Sequence, residues 1–202
     1  MSDNIGTRKD RSMQARYSGI HQVLHWSTVV CMFAVLPLGW IAVPYEDTAH
    51  FDSWMYAHEG MGVLVLAMTV ARIVWRLIDK PPNLTSAYGR RNQLLARSAH
   101  YALLAMMVLM PVSGFLWCTA HGHEVIPFGW FSLPRLFFNK RPLGDFFETI
   151  HLWGRWVVYG LITLHIGGVA FHVFWKRDRL LERMLPRPRD TIDAAPPKLL
   201  RQ

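Results

Sequence analysis

The sequence predicts an all-α integral membrane protein built as a four-helix bundle. Three observations carry this. Four apolar runs recur along the 202 residues, each long enough to cross a hydrocarbon core as a helix. The charges sit in short segments between these runs, whereas the helices of a soluble bundle carry charge along one face. The composition is 51% hydrophobic, with nine Trp and eleven Phe.

The runs cover roughly His21–Val43, Ala57–Ile78, Arg97–Thr119 and Ile150–Trp175. The segment before the first, MSDNIGTRKDRSMQARYSG, lacks the apolar core of a cleavable signal, so the first helix is expected to stay as an anchor. The last is the most demanding, because Trp156–Trp175 is 20 residues without Asp, Glu, Lys or Arg. The organisation expected is an N-terminal segment 1–20, a transmembrane unit 21–176 and a basic tail 177–202.

The net charge of +8 raises nucleic acid as a partner class. Its placement excludes that and fits a membrane. Lys and Arg gather before the first run, in the second connection (Arg76, Lys80, Arg90, Arg91, Arg97) and in the tail. The first connection, PYEDTAHFDSWMY, has none. The third balances Arg135, Lys140 and Arg141 against Glu124, Asp145 and Glu148. Both termini and the second connection are therefore expected on the cytoplasmic side. Trp26, Trp75 and Trp175 fall at the inner boundary on this plan, and Trp40, Trp54, Trp117 and Trp153 at the outer one. The third connection contains VIPFGWFSLPRLFF, which reads as a segment lying on the interface or capping the bundle.

Cys31 and Cys118 form no CxxC pair and no CxxCH, which argues against a dithiol or covalently attached haem. Histidines carry more information, since polar groups in a bilayer are costly and mark function. HLWGRWVVYGLITLHIGGVAFHVFW holds His151, His165 and His172. At about 100° per residue, His165 returns to within ~40° of His151, and His172 keeps that side. Depth follows from topology. His58 and His151 open their helices at the outer side. His25 lies near the inner side, as does His165, roughly 21 Å below His151 at 1.5 Å per residue. Two imidazoles facing each other across a bundle are what a six-coordinate haem iron accepts. Zinc or copper would want three or four ligands at one depth. Two b-type haems are expected, one on each pair.

Gly60, Gly62, Gly154, Gly160, Gly167 and Gly168 follow these histidines and would admit a flat macrocycle, or simply close helix packing. Arg72 and Arg76, toward the inner end of the His58 face, and Arg155, one turn after His151, are candidate propionate partners. Snorkelling to the interface competes for Arg76. His100 begins the third run on the inner side, as an alternative ligand or a hydrogen-bonding neighbour. His21 falls near the headgroups, and His50, His121 and His123 read as solvated.

RYSGIHQVLHW, AHEGMGVLVLAMTVARIVWRL, AHYALLAMMVLMPVSGFL and LHIGGVAFHVFWKRDRLLERMLPR together resemble the bacterial four-helix cytochrome b561 family, over roughly Arg16–Arg187. The family includes superoxide:ubiquinone oxidoreductases of the bacterial inner membrane. The resemblance implies one haem ligand on each of the first two helices and two on the fourth, matching His25, His58, His151 and His165. It implies electron transfer from superoxide outside to ubiquinone in the membrane. Arg135, Lys140, Arg141 and Arg155 are placed to attract the anion. His172, with Lys176, Arg16, Tyr17 and Ser18, is placed to bind the quinone and supply a proton. The rival expectation is a haem b anchor subunit that passes electrons between quinone and a dehydrogenase or hydrogenase partner.

Overall fold

The computed structural model describes residues 16–45, 48, 50–82, 89–137 and 139–186. The expected N-terminal segment up to residue 15 and the tail from 187 lie outside the described residues. Four helices of membrane-crossing length follow one another: α1 (Gly19–Ala42), α2 (Phe51–Ile78), α3 (Arg90–His121) and α4 (Arg141–Ala170). The last continues through one π-helical turn, Phe171–Trp175. Among the described residues there is no strand.

The helices outrun the apolar runs mainly at their N-termini. α2 begins at Phe51, α3 at Arg90 and α4 at Arg141. The added turns mix charged or hydroxyl residues with apolar ones, so an apolar window misses them, but nothing stops the hydrogen-bond ladder there. Pro142 sits in the first turn of α4, where a missing N–H costs nothing. Gly122 ends α3 in the left-handed conformation, φ 88°, and its N–H returns to Cys118 and Thr119 carbonyls. Pro37 and Pro111 lie inside α1 and α3 and each removes one rung.

α1 packs along α2 and α3 along α4, with a shorter α2–α3 contact. α4 has no extended backbone contact with α1 or α2; aromatic and imidazole side chains bridge that gap. Thr28, Thr69 and Thr119 are fully buried, and each hydroxyl donates to the carbonyl four residues back. That satisfies them without water. Large apolar side chains such as Val30, Phe33, Leu77 and Leu164 point outward, as a lipid-facing surface requires.

The α1–α2 and α3–α4 connections share one end, the loop end. The α2–α3 connection and residues 176–186 lie at the other, the terminal end. Loop 123–140 both caps and projects. Ile126 N–H donates to Glu59 Oε2 at 2.7 Å, Phe128 lies on Gly60 and Gly129 on Tyr56. Trp130 and Phe131 face outward. At the terminal end, residues 181–186 fold back under α1. Tyr17 N–H donates to Arg183 O at 3.2 Å, and the Trp26 indole N–H to Met184 O at 2.8 Å.

Candidate functional site

His58 and His151 meet at the loop end, ring centres 6.2 Å apart and nearly perpendicular. His25 and His165 meet nearer the terminal end, 6.4 Å apart. A metal that holds two imidazoles on opposite sides, with bonds of about 2 Å, separates their ring centres by roughly 6 Å. Both pairs have that spacing, and each joins α4 to another helix.

The same device seats both loop-end histidines. His58 Nδ1 lies 3.1 Å from Val35 O of α1, and His151 Nδ1 lies 3.0 Å from Met110 O of α3. Four residues beyond each carbonyl is a glycine facing the same ring: Gly39 opposite His58 and Gly114 opposite His151. An Nδ1–H donated to a carbonyl fixes the tautomer and leaves the Nε2 lone pair for a metal. Ser113 Oγ stands 3.2 Å from His151 Nδ1 and donates to Met110 O, supporting the same carbonyl.

In the second pair, His25 Nδ1 is buried and has no hydrogen-bond partner among the described residues. His100 comes within 5.1 Å of His165, ring centre to ring centre, which is too short for a metal between them. His100 Nδ1 instead faces Ala96 O. Arg72 lies within electrostatic range of His25 and His165. Arg76 is drawn aside: its guanidinium lies 5.1 Å over the Tyr101 ring. Arg155 is clamped over Trp40 at 4.5 Å and Trp156 at 5.5 Å, with a buried Nε that has no partner. These orphaned donors and the two ring spacings suit a macrocycle with acidic side chains.

His172 Nδ1 lies 2.6 Å from Asp178 Oδ2, a partner just past the span that sequence reasoning missed. Lys176 Nζ is 5.7 Å from the Phe171 ring centre. Ser18 caps α1 through its backbone, without a side-chain capping bond. Arg16 is committed elsewhere: its guanidinium donates to Glu182 O and Leu185 O and ties down the C-terminal turn. His21 Nε2 lies 2.8 Å from Asp79 O and joins α1 to the end of α2.

Other expectations need correction. Phe128 fills the space beside Gly60, and Met110 the space beside Gly154, so neither glycine opens toward a macrocycle. Gly39 and Gly114 are the glycines that matter to the histidines. His121 is not simply solvated, being held by Trp117 and Asp145. Of the tryptophans placed at the interfaces, Trp26 and Trp117 are held through their N–H donors and the Trp75 nitrogen is buried. Trp153 and Trp175 do face outward, as membrane-belt residues should.

Residues 16–187 match the family model described as prokaryotic cytochrome b561. Cytochrome b561 homolog 2 of Escherichia coli (strain K12) is 30% identical over 175 residues, covering 84% of this chain and 91% of the relative. The probable superoxide oxidase CybB of Yersinia pestis is 23% identical over 180 residues, covering 88% and 99%. Cytochrome b561 homolog 1 of Escherichia coli (strain K12) is 22% identical over 176 residues, covering 85% and 98%. With four membrane-length helices and a family match that spans all of them, this chain belongs to the prokaryotic cytochrome b561 family, whose members are membrane electron-transfer proteins that bind b-type haem.

Proposed function

We propose that the chain holds two haems b, one between His58 and His151 and one between His25 and His165, and carries single electrons across the bilayer from superoxide to ubiquinone. The observation that carries this is the repeated pair: equal ring spacings, two depths, α4 common to both. Each bound haem supplies a one-electron ferric/ferrous couple. The protein supplies orientation, charge and protons.

The loop end faces outward and the termini face the cytoplasm of the bacterial inner membrane, because Lys and Arg concentrate at the terminal end. Val35 O and Met110 O orient the outer ligands, and Phe128 covers Gly60 beside them. Arg155 in its tryptophan clamp serves an outer propionate, and Arg72 an inner one; Arg76 assists through the field it shares with Arg72. Arg135, Lys140 and Arg141 draw the anionic donor to this face. The name of the Yersinia pestis relative supports superoxide as that donor.

Quinone reduction takes protons as well as electrons. With Nδ1–H on the Asp178 carboxylate, His172 in its imidazolium form passes the Nε2 proton to a quinone oxygen and is left neutral. Asp178 balances the imidazolium formed when His172 is reloaded. Lys176 and Ser18 complete the site, and Arg16 contributes by holding the turn that closes it.

The test is the purified chain in detergent. Its reduced-minus-oxidised spectrum should show b-type haem at two per chain, and superoxide should reduce the haem and then form ubiquinol. Haem that superoxide leaves oxidised, in a chain that co-purifies with a soluble redox subunit, would replace this reading with that of an anchor subunit.

A further inference from the structure

The loop end holds a hydrogen-bonded chain that the functional reading does not use. The Trp117 indole N–H donates to His121 Nδ1 at 3.0 Å. His121 Nε2 meets Asp145 Oδ1 at 2.9 Å. An indole nitrogen only donates, so His121 accepts at Nδ1 and its Nε2–H goes to the Asp145 carboxylate. His121 sits in a notch that exists because Gly144 has no Cβ; one built there would run into the imidazole. Three contacts thus fix the rotation of one indole. The other side of that indole lies against His151, ring centres 5.9 Å apart and tilted 47°.

Glu148 brings a third ligand-type atom within 4.8 Å of this group. Both His121 nitrogens are already engaged, so the arrangement as built is a positioning relay rather than a cation site. Charges of both signs surround the notch: the Asp145 and Glu148 carboxylates stand in it, and Arg135 nearby pairs with Glu124 at 3.5 Å. Lys140 N–H donates to Ala120 O at 2.9 Å, placing Lys140 beside it, Arg141 starts α4 next along, and Arg135 Nη1 donates to Gly122 O at 3.0 Å. The notch is thus a mixed-charge site joined by one aromatic ring to His151.

We propose that Trp117 is the inlet bridge for electrons: a small one-electron reductant arriving at the His121 notch passes its electron through the indole to His151. This rests on His151 being a haem ligand. The donor loses one electron (superoxide becomes dioxygen) and the ferric iron on His151 gains it. Trp117 is neither oxidised nor deprotonated, because its orbitals couple donor and ligand without holding charge. His121 and Asp145 are positioning residues for that ring.

The experiment compares W117F, W117L and H121L with the unaltered full-length haem-loaded protein in detergent. Haem content, visible spectrum and both midpoint potentials are measured alongside the rate at which a superoxide pulse reduces the haem. The expected result is unchanged haem content and potentials, with reduction several-fold slower in W117L, less so in W117F, which keeps an aromatic ring. A merely structural role would move the potentials or the haem content instead. If W117L fails to take up haem, H121L decides, since it removes only the anchor: slower reduction at unchanged potential supports the bridge, and an unchanged rate overturns it. Equal rates in W117L and the parent overturn it outright. Loss of the outer haem on replacing His151 is the separate check on the ligand assignment beneath it.

Discussion

His58 and Gly39 face each other so closely that a Cβ on Gly39 would stand 3.2 Å from the imidazole Cε1 and 3.4 Å from Nδ1. Gly114 repeats the relation with His151, at 3.0 Å and 3.2 Å. In each case the glycine lies one turn past the carbonyl that the ring's Nδ1 contacts. A side chain at either position pushes the ring off its carbonyl and turns Nε2 away from the opposite imidazole. G39V or G114V is therefore expected to lose the outer haem and keep the inner one. The haem-to-protein ratio, from the pyridine haemochrome, should fall from two toward one. Full occupancy in G114V would refute the seating device.

At the inner pair, the 6.4 Å spacing of His25 and His165 admits a metal and the 5.1 Å spacing of His100 and His165 does not. H165A should lose one haem, as should H25A. H100A should retain both, with at most a shifted inner midpoint potential, because its 5.1 Å approach to His165 fits a neighbouring imidazole. A one-haem H100A would move the ligand assignment to α3.

The spans, and the histidines that share a face, were legible in the sequence because both depend on local properties: apolar length and helical periodicity. His165 and His151 fall on one side of α4 by arithmetic alone. The seating of His58 was not legible, because it depends on how α1 is rotated against α2, and GW at Gly39–Trp40 carries no periodic signal. The Trp117–His121 spacing of four residues was visible as a helical neighbour pair, but Asp145 and Gly144 reach His121 only through the α3–α4 packing. Asp178 was hidden for a similar reason, since a turn beyond the span brings it back to His172.

The Phe128 cap yields a third expectation. Phe128 adopts φ 55°, a left-handed conformation unfavourable for a bulky residue, to lay its ring on Gly60. A methyl group at residue 60 would meet that ring face on. G60A should lift the cap, cost about 1–3 kcal/mol through overpacking and open the outer haem to water. Exposure favours the more charged ferric state, so the outer midpoint potential should fall while the inner one stays. A thermal melt and a redox titration of the same sample check both. An outer potential equal to the parent's would mean that the loop does not shield this site.

Variants at the C-terminal turn test the two half-reactions of the proposed function separately. Trp26 ties the turn to α1: its N–H donates to Met184 O at 2.8 Å, while its ring packs edge-on against His25, centres 5.4 Å apart. Arg16, Tyr17 and Gln22 add further bonds to Glu182, Arg183 and Leu185. W26F removes one hydrogen bond of about 1 kcal/mol and should change little beyond a small loss of stability. D178N keeps the fold but leaves His172 facing a neutral amide that cannot balance an imidazolium. Haem reduction by superoxide should then proceed at the parent rate, and ubiquinol formation should slow. Stopped-flow spectra resolve the steps, because haem that is reduced quickly but reoxidised slowly by quinone accumulates in the ferrous form. Equal slowing of both steps in D178N would place Asp178 in the general integrity of the bundle, and fast reoxidation would remove His172 from proton delivery.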